Sequence, residues 1–226
     1  MQTSGQSEEK EPIGEAAQEL TQFVATYMPP AEQEQVQKAL QLARETCEGV
    51  RGLRPIPPLE HALAIANILA KMHIDAIGVS AGLVFEAVDA DLTPLEKVED
   101  ELGAPVARVV DSMLRMNILE RKKQSMAQGQ AAQPESEKSN DPKKQRIREY
   151  QRRRQAETVR KMFFAMSEDP RVVLLKLAYR LHAMRVGYAK THAVDPQELL
   201  NMARETQEIY APLAGRLGMS RLESEL

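Results

Sequence analysis

The chain has 226 residues, of which 42% are hydrophobic, enough for one large core or two small ones. The net charge of −3 provides no global field that would select nucleic acid or an acidic membrane. Cys47 is the single cysteine, which excludes an internal disulfide and a cysteine-based metal site.

The N-terminal segment "MQTSGQSEEKEP" is polar and acidic and lacks the basic and apolar regions of a signal peptide. No uncharged apolar run approaches the roughly 18 residues that are needed to cross a bilayer. We therefore expect a cytoplasmic protein without membrane contact. Residues 1–12 are predicted to form a disordered tail.

Helix-favouring residues dominate the rest of the chain, and no alternating strand pattern with hairpin turns is present. Helices are predicted at 13–27, 31–48, 59–73, 75–88, 94–102, 104–119, 145–168, 170–186 and 196–215. The short connections indicate antiparallel neighbours in a compact all-α bundle with essentially no sheet. The stretches 76–88 and 171–184 are apolar on most faces, as is typical of helices in the middle of a bundle.

Several predicted helices have recognisable start and stop signals. In Thr93-Pro94-Leu95-Glu96, Thr93 is the expected N-cap and Glu96 completes a capping box. Asp169-Pro170 and Asp195-Pro196 follow the same logic. Gly103 is expected to end one helix.

One segment interrupts the helical pattern. Residues 124–141 are rich in Gln, Ser, Gly and Pro, which predicts a mobile loop within an insertion at about 124–154. The stretch 143–161 then carries nine Lys or Arg residues. A basic helix of this kind can contact phosphates of RNA, but a solvated helix face is the interpretation we favour.

The stretch "SAGLVFEAVDADL", residues 80–92, ends in three carboxylates: Glu86, Asp89 and Asp91. Carboxylates at a helix C-terminus oppose the macrodipole, which suggests another reason for their presence. Glu86 and Asp89, at i and i+3, share a helix face and are candidate metal or acid/base groups. His61 and His182 are further candidates, although a lone helical His is more often a hydrogen-bonded structural residue.

Four longer stretches together resemble the N-terminal hydrolase domain of the RelA/SpoT family, the (p)ppGpp synthetases and hydrolases. They cover most of residues 45–226 apart from 124–154. In chain order they are "HALAIANILAKMHID" (61–75), "LGAPVARVVDSMLRM" (102–116), "QAETVRKMFFAMSEDPRVVLLKLAYRLHAMR" (155–185) and "ARETQEIYAPLAGRLGMSRLESEL" (203–226).

The resemblance implies an all-α fold of the HD type. In active members of the family, a Mn²⁺ ion is held by a His, a contiguous His-Asp pair and a later Asp. A Glu-Asp pair helps to activate the water that attacks the 3′-pyrophosphate. This is hydrolysis in which the metal lowers the pKa of the water and polarises the phosphoryl group.

Alignment on the family's motifs carries these roles to individual positions. His61 retains the first ligand, but the His of the His-Asp pair falls on Phe85 and its Asp falls on Glu86. The last ligand Asp falls on Tyr179. A metal site needs three or more protein ligands, so His61 and Glu86 are too few. We therefore expect no metal cofactor here.

The remaining functional positions are also altered. The catalytic Glu-Asp pair falls on Asp89 and Ala90, so its second carboxylate is lost. The family's Asn that faces nucleotide falls on Ala183. Four residues remain as uncertain candidates for nucleotide binding: Arg51, Arg54, His182 and Arg185.

The resemblance therefore implies a catalytically inactive hydrolase-like domain, as in synthetase-only RelA-like members. Such a domain regulates an adjacent synthetase domain, to which residues 203–226 would begin the connection. Two alternatives remain open. One is a residual hydrolase that uses His61, Glu86, Asp89 and Asp91. The other is a non-catalytic module that binds guanine nucleotide or RNA.

Overall fold

The computed structural model describes residues 5–50, 56–128, 169–189 and 196–226. The described residues form helices and turns, and none of them lies in a β-strand. The predicted all-α fold is therefore confirmed. Among the described helices, none combines the length and the apolar character of a membrane-spanning segment.

The helices occur in the following chain order: α1 (Gly5–Val24), α2 (Pro30–Cys47), α3 (Pro58–Lys71), α4 (Ala76–Asp89), α5 (Leu95–Leu102), α6 (Ala104–Gln128), α7 (Pro170–Ala189), α8 (Pro196–Glu205), a π-helical segment (Thr206–Tyr210), α9 (Ala211–Arg216) and α10 (Ser220–Glu225). Seven predicted helices, those starting at 31, 59, 75, 94, 104, 170 and 196, begin within one residue of the observed ones. The predicted helix at 145–168 and the basic stretch 143–161 lie outside the described residues.

The chain divides into two compact units. The first comprises residues 1–113 and 171–182, and the second comprises residues 114–170 and 183–226. The predicted bounds of one domain at 13–226, and of an insertion at 124–154, stay predictions.

Helix α4 lies at the centre of the first unit, as its sequence predicts. It packs most extensively against α3 and α2, while α1 packs on α3. Nearly every side chain from Ala76 to Val88 is buried. Gly82 permits close approach to α3, because a Cβ atom there would lie 2.7 Å from Cδ1 of Leu69.

Helix α7 is joined to the start of α4 by an ion pair. The Asp75 carboxylate caps α4 by accepting from the Gly78 N–H at 3.1 Å, and it also accepts from Arg171 Nε at 2.9 Å and Nη2 at 2.5 Å. Burial raises the pKa of Asp75, but the Arg171 hydrogen bonds, the Gly78 N–H and the guanidinium charge together lower it below its ordinary value. The two helices are thus connected where both begin.

Asp91 has a structural explanation at the end of α4. It adopts the left-handed conformation, with φ of 56°, and its N–H donates to Val88 O. The Leu92 N–H donates to Ala87 O at 2.8 Å, which completes a Schellman motif. The same pattern ends α3 at His73 and α9 at Gly218.

Three sequence predictions are wrong at helix ends. Helix α1 begins at Gly5, inside the predicted tail, because the Glu and Gln residues that predominate there favour helix. Thr93 does not cap α5: its hydroxyl is buried without a hydrogen-bond partner among the described residues, and Pro94 occupies the N-cap position. Helix α6 continues through 124–128, where a loop is predicted.

The predicted helix 196–215 is interrupted by the π-helical segment. There the Ala211 N–H donates to Thr206 O, five residues back, which is π-helical hydrogen bonding. Pro212 follows and has no N–H, and its ring would crowd the carbonyl four residues earlier in a regular α-helix. The wider turn relieves that crowding. Tyr210, the last residue of this segment, is fully buried.

Candidate functional site

Three helices of the first unit bring side chains to a single carboxylate oxygen. His61 comes from α3, Glu86 from α4 and Tyr179 from α7. His61 Nδ1 lies 3.1 Å from Glu86 Oε2, and the Tyr179 hydroxyl donates to the same oxygen. These are three of the four positions at which the family resemblance places metal ligands, so the structure brings those positions together.

Aromatic rings enclose this carboxylate. The Tyr179 ring makes edge contacts with His61, at 4.8 Å between centroids, and with Phe85, at 5.1 Å and an interplanar angle of 84°. The His182 ring lies 4.7 Å from that of His61. Phe85, at the fourth ligand position, therefore packs on Tyr179 as part of an aromatic cluster.

The site is strongly desolvated. Phe85 and Glu86 are both fully buried, and the His61 side chain is 12% exposed. A buried carboxylate requires hydrogen-bond donors to offset the loss of its hydration. The hydrogen bonds with Tyr179 and His61 supply such an offset, which agrees with a structural role for His61.

Cys47 at the end of α2 is also buried near this cluster. Burial raises the pKa of its thiol, the hydrogen bond with Thr46 lowers it, and the negative charge of Glu86 raises it again. The net shift is upward, which favours the neutral thiol over the nucleophilic thiolate. Cys47 therefore behaves as a small apolar residue of the core.

The residues present do not fit a divalent metal. Phe85 offers no lone pair, and the Tyr179 hydroxyl is engaged with the carboxylate that would otherwise be a ligand. Across the described ranges, no three His, Cys, Asp or Glu side chains form a group that could hold a metal ion. The alternative ligand set of His61, Glu86, Asp89 and Asp91 is thus not assembled among the described residues.

The other predicted site residues lie elsewhere. Asp89 is half-buried in the last turn of α4, and Ala90 is the C-cap of that helix. Arg185 belongs to the second unit, where its guanidinium donates to Glu225 of α10 and lowers the pKa of that carboxyl. Arg51 and Arg54 lie outside the described residues. Nucleotide binding by these residues stays a prediction.

Sequence reasoning missed two features of this region. Tyr179 was interpreted only as a lost ligand, whereas its hydroxyl is a hydrogen-bond donor to Glu86. The Asp75–Arg171 pair was also not predicted. Aromatic residues at two ligand positions on two apolar helices signal the first feature, because such side chains tend to pack together. No local pattern signals a pair that is separated by 96 residues.

Comparison with known proteins finds similarity to the HD domain family and to enzymes named as GTP pyrophosphokinases or (p)ppGpp hydrolases. The HD domain family profile matches residues 39–220. The chain is 35% identical over 202 residues to a chloroplastic putative GTP diphosphokinase of Arabidopsis thaliana, covering 89% of this chain and 20% of that protein. It is 35% identical over 193 residues to a GTP pyrophosphokinase of Streptomyces coelicolor, covering 85% of this chain and 19% of that protein.

A third relative is the bifunctional (p)ppGpp synthase/hydrolase SpoT of Escherichia coli. It is 31% identical over 207 residues, which is 92% of this chain and 25% of that protein. The chain therefore spans about a fifth to a quarter of the length of these curated relatives.

Proposed function

This chain belongs to the HD domain family, and we propose that it is the catalytically inactive, hydrolase-like regulatory domain of a RelA/SpoT-type GTP pyrophosphokinase. The similarity to GTP diphosphokinases and to SpoT supports the type of parent enzyme. The local geometry around Glu86 supports the inactivity.

One observation carries the proposal: the Glu86 carboxylate accepts a hydrogen bond from the hydroxyl of Tyr179. Tyr179 stands at the position where active members of the family have the last metal-binding Asp. Hydrolysis of a 3′-pyrophosphate in this family requires a metal that activates water and stabilises charge on the phosphoryl group. With Phe85 and Tyr179 in two ligand positions, the scaffold is retained and the means of activating water is lost.

The second half of the proposal concerns the partner. Relatives that are four to five times longer have room for further domains, and a synthetase domain is the partner that their names suggest. Retention of a folded but inactive HD domain fits a role in which helix packing, rather than chemistry, influences that partner. A C-terminal synthetase domain is therefore the proposed site of action.

Incubation of the 226-residue chain with ppGpp and Mn²⁺ tests the inactivity. We expect no release of pyrophosphate above the level of a buffer control, with Escherichia coli SpoT as the positive control. Turnover of ppGpp by this chain that His61→Ala abolishes would contradict the proposal and favour a residual hydrolase.

The regulatory half of the proposal is tested by adding the chain to the synthetase domain of a relative. A change in the rate of GTP pyrophosphorylation would support a regulatory role. An unchanged rate at a saturating concentration of the chain would contradict that role.

A further inference from the structure

The His61, Glu86 and Tyr179 side chains form a connection between three helices that needs no ion. His61 Nδ1 and the Tyr179 hydroxyl both bond to Glu86 Oε2. We infer that this cluster, which we call the Glu86 lock, takes over the cross-linking that a metal ion would provide and holds residues 171–182 of α7 on α3 and α4. The residues that do not fit a metal thus connect the three helices by hydrogen bonds.

The strength of the Glu86 lock follows from burial. Hydrogen bonds to an ionised group are stronger than those between neutral groups, and they strengthen further where water is excluded. Glu86 is fully buried, so each donor compensates a large loss of hydration. Removal of one donor leaves a buried carboxylate with less compensation, which is more costly than removal of carboxylate and hydroxyl together.

Phe85 and His61 hold the Tyr179 ring in the orientation that the lock requires. Phe85 contacts the ring edge-on at 5.1 Å, and His61 does so at 4.8 Å. Both contacts limit the rotamers that Tyr179 can adopt. Phe85, at a position where active members of the family have a metal-binding His, therefore helps to position the Tyr179 hydroxyl.

This inference deepens the proposed function at the same site, but the two are separable. The Glu86 lock is measured by stability and hydrogen exchange, while the proposed function is measured by turnover and by the effect on a synthetase domain. Release of pyrophosphate from ppGpp would refute the proposed function, whereas unchanged exchange of 171–182 in Tyr179→Phe would refute the lock. A missing lock would leave the turnover result unchanged.

A double-mutant cycle with Tyr179→Phe, Glu86→Met and the double variant tests the coupling by urea and thermal unfolding. Tyr179→Phe is expected to lower the Tm by about 3–8 °C, from the loss of one hydrogen bond to a buried charge. The double variant is expected to lose less than the sum of the two single variants. Additive losses, or an unchanged Tm for Tyr179→Phe, would overturn the inference.

Hydrogen exchange gives a local readout that also serves if Glu86→Met fails to fold. In Tyr179→Phe, peptides from 171–182 are expected to exchange faster, while those from 36–43 of α2 keep their protection. Tyr27→Phe is the matched control, because its hydroxyl donates to Ile74 O at 2.9 Å outside the lock. In the unsubstituted chain, peptides from 171–182 are expected to exchange at the same rate in EDTA as in Mn²⁺. A metal-dependent exchange would overturn the inference.

Discussion

At the scale of single residues, the three carboxylates that end the stretch 80–92 have three different environments. Glu86 is buried and accepts hydrogen bonds from two other helices. Asp89 remains in the last helical turn, and Asp91 occupies the left-handed position that ends α4. Their spacing in the sequence suggests one shared site. The end of α4 and its Schellman motif instead place the three carboxylates in different backbone conformations and surroundings.

Asp91→Gly tests the structural explanation of Asp91. Glycine adopts positive φ without the steric cost that an L side chain has there, and the substitution also removes an acid from the negative end of the helix dipole. We expect the free energy of unfolding to rise by about 0.5–1 kcal/mol, measured by urea denaturation.

Asp89→Gly is the matched control for Asp91→Gly. It also removes an acid but introduces glycine at a helical position, so the two effects offset each other and the free energy of unfolding is expected to stay within about 0.5 kcal/mol of that of the unsubstituted chain. A loss of stability in Asp91→Gly would show that the carboxylate has a role that the helix end does not explain.

At the scale of elements, the sequence predicted which segments are helical and which of them is most buried. Apolar residues on every face placed α4 at the centre, and Pro-initiated starts located α7 and α8. Helix ends were less predictable. Thr93 fits a capping box by sequence, yet its burial and Pro94 at the N-cap leave the hydroxyl unused.

The candidate site was predictable in its positions but not in its contacts. Motif alignment selected His61, Phe85, Glu86 and Tyr179, and the fold brings them together. Which atom bonds to Glu86 depends on how α3, α4 and α7 pack, and side-chain packing over more than 90 residues of separation leaves no local pattern in the chain. The π-helical segment has a local cause, Pro212, which lies inside the predicted helix 196–215.

The Asp75–Arg171 pair between α4 and α7 predicts a pH-dependent stability. The pKa of Asp75 is lower in the folded chain than in the unfolded chain, so between the two values the unfolded state binds more protons. The stabilisation is therefore fully present above the ordinary Asp pKa and is lost as the pH falls through the lowered value.

Asp75→Asn measures this contribution, because Asn retains the ability to cap α4. The Asp75 side chain is 40% exposed, so solvent screening limits the expected loss near pH 7 to about 0.2–1 kcal/mol. The difference from the unsubstituted chain should shrink at acid pH in urea denaturation. Asp100→Asn, at an exposed position of α5, is the control and should show no such trend. A constant difference across pH would contradict the assignment.

At the scale of the whole molecule, the chain matches the HD domain family, while Phe85 and Tyr179 stand at two positions where the resemblance places metal ligands. The HD family profile extends from 39 to 220, and the described helices keep the family's ligand positions together. At two of those positions Phe85 and Tyr179 pack against each other, and the Tyr179 hydroxyl donates to Glu86.

Metal binding is the measurement that tests this account most directly. Elemental analysis of chain purified without chelator, followed by calorimetric titration with Mn²⁺, is expected to show no stoichiometric metal and no saturable binding. The double variant Phe85→His/Tyr179→Asp is the positive control, and it is expected to bind Mn²⁺ because four side chains then offer ligand atoms. Stoichiometric Mn²⁺ in the unsubstituted chain, removed by His61→Ala, would contradict the account.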